Sequence, residues 1–323
     1  MKAVLARQLG DPKDLEYADV PEPAPDAGDV LIDVKAIGCN FPDILIVQGK
    51  YQKRPPLPFS PGIEVSGAVR ACGAEVTRFR PGDRVFALVG FGAYAESVVA
   101  SERHVYTLPP ALSFDEGAAF GLVYQTSYCA LVHRAALRAG EWLLVHGAAG
   151  GVGLAAVQIG KALGARVIAT AGAPEKLEIA RQSGADVLIN YRTEDWVARV
   201  KEMTGSGADV IYDPVGGDVF DGSSKCINFE GRLLVIGFAG GRIPEIAANR
   251  ILLKNISVVG VHWGLYQERQ SPLVARWMDE LLELVLRGKL RPVICKRFPL
   301  QQAAHALAAL ASRESYGKVV LVP

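Results

Sequence analysis

The sequence predicts an α/β protein that combines a β-rich domain with a doubly wound parallel sheet. Three observations predict this class. The chain has 323 residues, more than one hydrophobic core usually supports, so two domains are expected. The pattern of apolar and polar residues changes near Ser113, where a series of predicted strands is followed by alternating strands and helices. A glycine-rich loop then joins an apolar strand to an apolar helix near residue 150.

The charge and cysteine content exclude several classes of protein. With 35 Lys+Arg against 34 Asp+Glu the net charge is +1, which gives no electrostatic reason to bind nucleic acid or an anionic membrane. The five cysteines include no C-x-x-C pair, so neither a disulfide framework nor a four-cysteine zinc site is expected. No apolar run reaches the length of about 18 residues of a membrane span, and the first residues lack a signal core. The sequence therefore predicts a soluble, cytoplasmic protein.

The N-terminal part is predicted to be β-rich. Nine of the 19 prolines lie within the first 61 residues, which disfavours long helices there. Apolar and polar residues alternate at 29–34 and 63–71 with the period of half-buried strands. A turn at 81–83 leads into a further strand at 84–88.

Strand–helix alternation is predicted beyond Ser113. Ser113 and Glu116 fit a capping box that opens a helix running toward Val132. After Glu141, apolar strands alternate with helix-length segments, which indicates a parallel sheet covered by helices on both faces. The strands are expected at 142–145, 166–170, 187–189, 210–212, 233–236, 257–261 and 318–322, and the helices at 152–163, 174–182, 194–203, 272–287 and 300–310.

The loop at 147–153 carries the most informative motif. Ala148-x-Gly150-x-x-Gly153 matches the dinucleotide fingerprint with alanine in the first glycine position. Small residues let the backbone approach a pyrophosphate, and a helix start offers free N–H groups and a positive dipole end. A tight turn in a fold that binds no nucleotide is the alternative. The residues predicted to contact the cofactor here are Ala149, Gly150, Gly151, Val152 and Gly153.

The end of the next strand indicates which dinucleotide binds. NAD sites usually carry an acidic residue about 20 residues beyond the loop, but the strand at 166–170 is followed by Gly172 and has no carboxylate at its tip. Lys176 follows, and Tyr191 comes just after the third strand of the series. A small loop beside a cation suits a 2′-phosphate, so NADPH is predicted over NADH. Glu175 complicates this prediction because it is able to neutralise Lys176.

Ordered motifs along essentially the whole chain resemble one family. They lie at 40–43, 49–52, 55–59, 61–64, 146–153, 161–165, 189–191, 234–237 and 317–321. In these motifs the sequence resembles the zinc-independent quinone oxidoreductase branch of the medium-chain dehydrogenase/reductase superfamily. The resemblance implies a GroES-like substrate domain at 1–121 and 262–323, with a Rossmann NADPH-binding domain at 122–261 inserted between the two parts.

The resemblance also implies roles for single residues. A quinone or conjugated carbonyl that accepts hydride becomes an oxyanion or enolate, which hydrogen-bond donors stabilise. Asn40 and Tyr51 are the candidate donors, Tyr51 also for a proton, and Asp43 is expected to orient their loop. The plainer alternatives are that Asn40 braces its own loop and that Tyr51 forms a wall of the substrate site. The residues implied at the cofactor are Thr126, Gly237, Phe238 and Lys318.

No metal is predicted. Zinc-dependent members of the superfamily hold their catalytic zinc with a cysteine, a His-Glu pair and a later cysteine. Asn40, Ile63 and Leu122 stand near the positions of the first cysteine, the histidine and the last ligand, so only Glu64 remains. Zinc needs about three protein ligands, and the segment 84–94 also lacks the cysteines of a structural zinc lobe.

The favoured function is therefore NADPH-dependent reduction of a quinone, enone or enal. Lys50, Lys53 and Arg54 flank Tyr51; they are either ordinary surface charge or a site that attracts the phosphates of an enoyl-CoA or acryloyl-CoA. A low-turnover NADPH-binding protein with a structural or regulatory role is a third possibility. The apolar segment 251–261 is expected at the edge of the sheet, where pairing with a second copy would form a homodimer.

Overall fold

The computed structural model describes all 323 residues, which form fifteen strands and eleven α-helices. The strands are β1 (Lys2–Leu5), β2 (Glu16–Asp19), β3 (Asp29–Cys39), β4 (Glu64–Cys72), β5 (Arg84–Leu88), β6 (Ser97–Ser101), β7 (Val105–Thr107), β8 (Trp142–Val145), β9 (Arg166–Ala171), β10 (Val187–Asn190), β11 (Ala208–Asp213), β12 (Ile227–Val235), β13 (Ser257–Gly260), β14 (Ile294–Pro299) and β15 (Lys318–Val322). The helices are α1 (Phe41–Val47), α2 (Phe114–Ala118), α3 (Gly121–Tyr128), α4 (Gly151–Ala162), α5 (Pro174–Gln182), α6 (Trp196–Thr204), α7 (Gly217–Ser223), α8 (Ala248–Lys254), α9 (Trp263–Arg269), α10 (Ser271–Leu286) and α11 (Ala303–Ala311). None of these helices combines the length and the apolar character needed to cross a membrane.

The chain divides into two compact units. Unit 1 comprises Met1–Leu122 and Pro292–Pro323, and unit 2 comprises Val123–Arg291. Unit 1 resumes at 292 rather than at the expected 262, because residues 262–291 pack within unit 2. Gln125 on α3 donates to the Val274 carbonyl of α10 at 3.0 Å, and the Tyr128 hydroxyl donates to Glu280 at 2.6 Å.

Unit 1 is built on mostly antiparallel strands. Its large sheet has the order β14-β15-β3-β4-β5-β7, with β6 also paired to β3, while β1 and β2 form a separate pair. Val319 of β15 lies opposite Cys39 of β3, so the last residues of the chain complete a sheet begun by the first forty. The buried core includes Ile32, Ile37, Val65, Val85 and Val319.

Unit 2 is a doubly wound parallel sheet, as the sequence predicts. The strand order is β10-β9-β8-β11-β12-β13, and every pair is parallel. The order reverses between β8 and β11, and ligands of such sheets bind at the carboxyl ends of the strands at this reversal. The glycine loop follows β8 and therefore begins at the reversal. The core includes Leu144, Ile168, Ile189, Ile211 and Leu233.

The helix predicted from Ser113 toward Val132 is interrupted, although helical structure does extend past Val132 through a π-helical turn at Cys129–Arg134. Its start is confirmed, since Ser113 Oγ accepts the Glu116 N–H at 3.2 Å and Glu116 Oε2 accepts the Ser113 N–H at 2.8 Å. However, α2 ends at Ala118 and α3 begins at Gly121. Phe120 between them is fully buried, with its ring edge-on to Phe86 at 6.0 Å. Anchoring of this side chain in the core interrupts the helix.

The outer edge of the unit 2 sheet is β13, whose one strand partner is β12. The apolar segment 251–261 ends at this edge: it is helical through Lys254 and becomes β13 at Ser257, within the strand expected at 257–261. On α8, Leu252 and Leu253 are 74% and 78% exposed. An apolar helix face and a free strand edge therefore lie close together in the sequence.

Candidate active site and cofactor site

A buried polar cluster surrounds the start of α1 in unit 1. Asn40 immediately precedes the helix, and Asp43 lies in its first turn. Asp43 Oδ2 accepts the Asn40 backbone N–H at 2.8 Å, and a carboxylate here suits the positive end of the helix dipole. Asn40 is 5% exposed and Asp43 is fully buried. Two of the three predicted catalytic residues are thus in direct contact.

An ion pair joins this cluster from the far end of the chain. Lys318 Nζ lies 2.5 Å from Glu64 Oε1 and 2.5 Å from Asn40 Oδ1. Both charged side chains are almost completely buried, and such a pair is stable only when its remaining polar atoms are satisfied. Glu64 Oε2 accepts the Leu122 N–H at 3.0 Å. Lys318 belongs to unit 1, whereas every other residue predicted at the cofactor belongs to unit 2.

The Asn40 side chain has no hydrogen-bonding hydrogen left for a substrate. Its Nδ2 donates to the Gly38 carbonyl at 3.1 Å and to Glu64 Oε1 at 2.8 Å, while Oδ1 accepts from Lys318. An amide nitrogen carries two hydrogens, and both are used. This geometry favours the plainer alternative, in which Asn40 braces its own loop.

Burial changes the acidity of the groups around Asp43. It raises the pKa of Asp43 to about 7, against the opposing effect of the hydrogen bonds from the Asn40 N–H and from Tyr94. The Tyr94 hydroxyl donates to Asp43 Oδ2 at 2.9 Å, and Asp43 Oδ1 is buried without a partner. Burial also raises the pKa of Cys39 to about 12. Asp43 therefore changes its charge near neutral pH, whereas the Cys39 thiol stays protonated.

Tyr51 lies outside this hydrogen-bond network. After α1, Gly49 takes a φ of 68° and the Lys50 N–H donates to the Leu45 carbonyl at 2.8 Å, so the chain turns sharply into Tyr51. Its half-buried ring packs on a small apolar cluster that contains Ala6, Ile46 and Phe59. Burial, and then the Asp43 carboxylate, raise the pKa of Tyr51. The phenol is consequently protonated at neutral pH and able to donate.

The positions compared with zinc ligands form no metal site. Nowhere does the structure bring together three or more His, Cys, Asp or Glu side chains in an arrangement able to hold a metal ion. Among Asn40, Ile63, Glu64 and Leu122, only Glu64 is a usual zinc ligand. Its carboxylate already accepts from Lys318, Asn40 and the Leu122 N–H.

In unit 2 the start of α4 is left uncapped. Gly150 precedes the helix and has no side chain to bond its N–H groups, while Gly151 and Val152 form the first turn. Ala149, which precedes Gly150, is buried. Free N–H groups at the positive end of a twelve-residue helix are a ready site for a phosphate. The residues present therefore fit the pyrophosphate of a dinucleotide.

Gly153 allows α4 to approach the loop. A Cβ at this position would overlap the Gly147 carbonyl oxygen and would lie 2.8 Å from Ala148 Cα. Gly147 itself takes a φ of 56°, a left-handed conformation that favours glycine. The close packing inferred for the third glycine of the fingerprint is therefore present.

Three residues meet where β9 ends. A Cβ on Gly172 would lie 2.6 Å from the Tyr191 hydroxyl and 3.0 Å from Arg192 Nε, so both side chains cover this glycine. Lys176 lies in the first turn of α5, half-buried. The tip of β9 bears no carboxylate.

The loops after β11 and β12 pack on one another. A Cβ on Gly216 would lie 3.0 Å from Phe238, and one on Gly237 would lie 3.4 Å from the Pro214 carbonyl oxygen. Asp213 Oδ1 accepts the Gly216 N–H at 2.9 Å and so shapes the first of these loops. Gly237 and Phe238 consequently stand at the carboxyl end of the sheet, as a cofactor-binding role requires.

Thr126 lies on α3, next to a residue that is bonded to the start of α4. Ser127 Oγ donates to the Val152 carbonyl at 2.9 Å and lies 2.9 Å from the Tyr212 hydroxyl. Thr126 is half-buried. The bond from its neighbour therefore holds this part of α3 against the glycine loop.

Comparison with known proteins places the chain in a family. The model of the alcohol dehydrogenase GroES-like domain matches residues 26–110, and that of the zinc-binding dehydrogenase matches residues 151–280. Quinone oxidoreductase-like protein 2 of Bos taurus is 39% identical and covers 99% of this chain and 92% of its own length. The chain belongs to the quinone oxidoreductase family. It is thereby a member of the medium-chain dehydrogenase/reductase superfamily.

Solved structures agree with this family membership. A probable oxidoreductase from Mycobacterium abscessus is 40% identical, with a TM-score of 0.91 over 100% of this chain and 99% of its own. The Escherichia coli quinone oxidoreductase, complexed with NADPH, is 32% identical, with a TM-score of 0.92 over 100% of both chains. The GroES-like domain and the Rossmann sheet expected from the sequence are both present.

Some residues that contact the predicted site residues of this quinone oxidoreductase family member are not indicated by the sequence. Tyr94, which bonds Asp43, and Arg192, which covers Gly172, carry no local signal. His146 carries no such signal either, yet its ring nitrogens lie 3.0 Å from Thr170 Oγ1 and 3.0 Å from Ser223 Oγ. Burial lowers the pKa of His146 to about 3, so the ring is neutral. It holds the end of β8 in place directly before the glycine loop.

Proposed function

We propose that this chain is an NADPH-dependent, zinc-independent oxidoreductase that reduces a quinone or a conjugated carbonyl compound. The proposal rests on the arrangement of residues at the carboxyl end of the unit 2 sheet. There the uncapped start of α4 follows β8, and the neighbouring β9 ends at Gly172 without a carboxylate. The NADPH complex of the Escherichia coli homologue supports the same cofactor. When bound, NADPH supplies the hydride.

The chain itself binds and orients the cofactor. The N–H groups at the start of α4 hold the pyrophosphate, because they are unbonded and lie at the positive end of the dipole. Lys176 and Tyr191 offer a charge and a hydroxyl to a 2′-phosphate at the end of β9. Thr126 and Phe238 are assigned to the nicotinamide end by the family pattern.

Tyr51 is the proposed proton donor. Both Asn40 amide hydrogens are used and Asp43 is enclosed, so these two act as positioning residues for α1. The end of α1 turns at Gly49 directly into Tyr51, which connects the capping interactions to the position of the phenol. Tyr51 donates its proton to the oxygen of the reduced acceptor and regains one from water.

The proposal is tested by NADPH oxidation with a panel of quinones, enals and enoyl-CoA thioesters. Tyr51→Phe should lower kcat by about 10²-fold, the usual scale of general acid catalysis, with NADPH affinity unchanged. Tyr17→Phe, at an exposed position, is the matched control. Full turnover by Tyr51→Phe would contradict the role of Tyr51 as proton donor. The absence of any NADPH-dependent turnover in the wild type would refute the proposed enzymatic function.

Zinc independence is proposed because the four positions compared with zinc ligands offer too few side chains that bind zinc. Glu64 is fully engaged, and the other positions offer an amide and two aliphatic side chains. Elemental analysis of the purified, active protein should find zinc well below one ion per chain. Stoichiometric zinc whose removal abolishes turnover would contradict this part of the proposal.

A CoA thioester is the second candidate acceptor. Lys50, Lys53 and Arg54 are exposed and flank half-buried Tyr51, a charge distribution that suits phosphates. Removing two of the cations, in Lys53→Gln/Arg54→Gln, should raise KM for an enoyl-CoA severalfold and leave KM for a small quinone unchanged. Lys35→Gln, an exposed lysine on β3, is the control.

Equal KM values for wild type and double variant on both acceptors would identify the three cations as ordinary surface charge. Tight NADPH binding without turnover on any acceptor would favour the third candidate, a cofactor-binding protein with a structural or regulatory role.

A homodimer is also part of the proposal, because β13 leaves one edge of the unit 2 sheet free.

A further inference from the structure

The chain passes between the two units twice. It leaves unit 1 after Leu122 and returns to it at Pro292, and we call these two connections the first and the second crossing. The first crossing lies within α3, and the second lies between α10 and β14. Movements of one unit against another are usually accommodated at connections of this kind. Hydrogen bonds beside the crossings therefore bear on a reaction that needs groups from both units.

In unit 2 a single buried side chain holds the chain beside both crossings. Gln158 on α4 is 8% exposed. Its Oε1 accepts the Tyr124 hydroxyl at 2.8 Å and the Arg291 N–H at 2.9 Å, and its Nε2 donates to the Arg291 carbonyl at 2.9 Å. Tyr124 comes two residues after Leu122, and Arg291 is the last residue before the second crossing. One amide thus joins both crossings to α4.

The three bonds require an uncharged side chain that both donates and accepts. An amide oxygen has two lone pairs, and donors from two distant segments occupy both of them on Gln158. The same helix begins at Gly151 with the uncapped turn proposed to hold the pyrophosphate. Gln158 lies in the second half of this helix, so it contacts the crossings without belonging to the phosphate site.

In unit 1 the Lys318–Glu64 pair bonds the other side of the same two crossings. Glu64 Oε2 accepts the N–H of Leu122, the last residue before the first crossing, at 3.0 Å. The Lys318 N–H donates at 2.8 Å to the carbonyl of Val293, which directly follows Pro292. The two side chains meet at 2.5 Å. Each unit therefore holds both crossings from its own side through one buried polar group.

We propose that Gln158 is a positioning residue for the reduction, acting through the two crossings. This inference rests on the proposed function, in which Tyr51 belongs to unit 1 and the pyrophosphate site to unit 2. Hydride transfer needs reacting atoms about 3–3.5 Å apart. Conformational freedom at the crossings reduces the fraction of molecules that reach this geometry. Gln158 limits that freedom on the unit 2 side and touches neither the cofactor nor the acceptor.

Two variants separate the contacts of Gln158. Gln158→Met removes all three hydrogen bonds with a side chain of similar length, whereas Tyr124→Phe removes only the bond beside the first crossing. Gln158→Met should lower kcat with a quinone by about 10-fold, because small misplacements of reacting groups are costly. Its Kd for NADPH should stay within twofold of the wild type, since the first turn of α4 is unchanged. Tyr124→Phe should show a smaller loss of kcat.

Gln182→Met is the matched control. This exposed glutamine on α5 bonds only within its own helix, to Glu178 at 2.9 Å. The same replacement there should change neither kcat nor the Kd for NADPH.

Hydrogen exchange followed by mass spectrometry gives a readout that does not depend on activity. In Gln158→Met the backbone amides beside both crossings should exchange about 10-fold faster, while those of the core strands β8 and β9 keep their wild-type rates. In Tyr124→Phe the change should be confined to the first crossing. A residue that merely stabilises the fold would instead speed exchange throughout unit 2.

Faster exchange in β8 and β9 as well as at the crossings overturns the positioning role of Gln158. So does an unchanged kcat in Gln158→Met and Tyr124→Phe when their crossings exchange faster, and both results leave the proposed function intact. If Gln158→Met does not fold, Tyr124→Phe decides in the same way. A wild type without NADPH-dependent turnover overturns the proposed function and the positioning role together.

Discussion

Asp43 gives the buried cluster of unit 1 a dependence on pH. Its pKa of about 7 in the folded protein lies above the value of about 3.9 expected for an unfolded chain. The folded state thus favours the protonated acid. The stabilisation from Asp43 is fully present below the unfolded pKa and is lost as pH rises toward and through the folded pKa of about 7.

Asp43→Asn should remove this pH dependence, because the amide stays neutral. Between pH 4 and pH 8 the wild type should lose about 4 kcal/mol of unfolding free energy relative to the variant, measured by chemical denaturation at a series of pH values. Asp14→Asn, an exposed carboxylate, controls for a general effect of charge. A constant difference between wild type and Asp43→Asn across this range would contradict the prediction.

The Lys318–Glu64 pair should be much more costly to break on one side than on both. Lys318→Met leaves the Glu64 carboxylate buried without its cation, and the loss of unfolding free energy is expected to be about 3–5 kcal/mol. Lys318→Met/Glu64→Gln removes both charges and should recover a substantial part of that loss. Thermal or denaturant unfolding of the wild type, both single variants and the double variant measures the coupling, and additive losses would show that the two charges act independently.

At the scale of elements, the two glycines of the fingerprint, Gly150 and Gly153, should respond differently to replacement by alanine. A Cβ at Gly153 overlaps the preceding loop, so Gly153→Ala forces α4 away and should destabilise the protein by about 1–3 kcal/mol. A Cβ at Gly150 has its nearest atom, the Gly147 carbonyl oxygen, at 3.3 Å. Gly150→Ala should therefore retain stability but weaken NADPH binding, because it covers the N–H groups of α4.

Calorimetric unfolding and NADPH titration of both variants check this separation. Gly153→Ala should show the larger fall in Tm, and Gly150→Ala the larger rise in Kd relative to its change in stability. If one variant shows both the larger fall in Tm and the larger rise in Kd for NADPH, the two glycines do not have these separate roles in packing and in binding.

The number of residues that separates two contacting side chains in the sequence explains which features the sequence predicts. Alternating strands and helices, the glycine loop and the capping box at Ser113 are all carried by neighbouring residues, and each is present. Lys318 and Glu64 are 254 residues apart, so no local pattern indicates their pairing. The break between α2 and α3 also depends on a distant partner, since Phe120 packs on Phe86. The use of both Asn40 hydrogens depends in the same way on Glu64.

At the scale of the whole molecule, the free edge of β13 should be covered by a second copy. Val258 and Val259 on this strand are half-buried, and an open apolar edge favours pairing across a two-fold axis. Light scattering at micromolar concentration should give twice the chain mass of 34.5 kDa. Val259→Lys brings two like charges together at the axis and should shift the mass toward the monomer.

Leu286→Lys is the control for this variant, because Leu286 is 68% exposed at the end of α10. It should leave the mass unchanged. A wild-type mass of one chain at micromolar concentration would remove the homodimer from the proposal.

Because β15 pairs with β3, synthesis of the protein sets the order in which unit 1 is completed. A nascent chain reaches Glu64 early but gains Lys318 only 254 residues later, a delay of roughly 10–50 s at common translation speeds. During that interval the whole of unit 2 is synthesised, while residues 37–39 of β3, beyond the part paired with β6, lack their β15 neighbour. The Asn40–Glu64 cluster therefore gains its buried counter-ion, the Lys318 ammonium, only after every residue of unit 2 has been added to the chain.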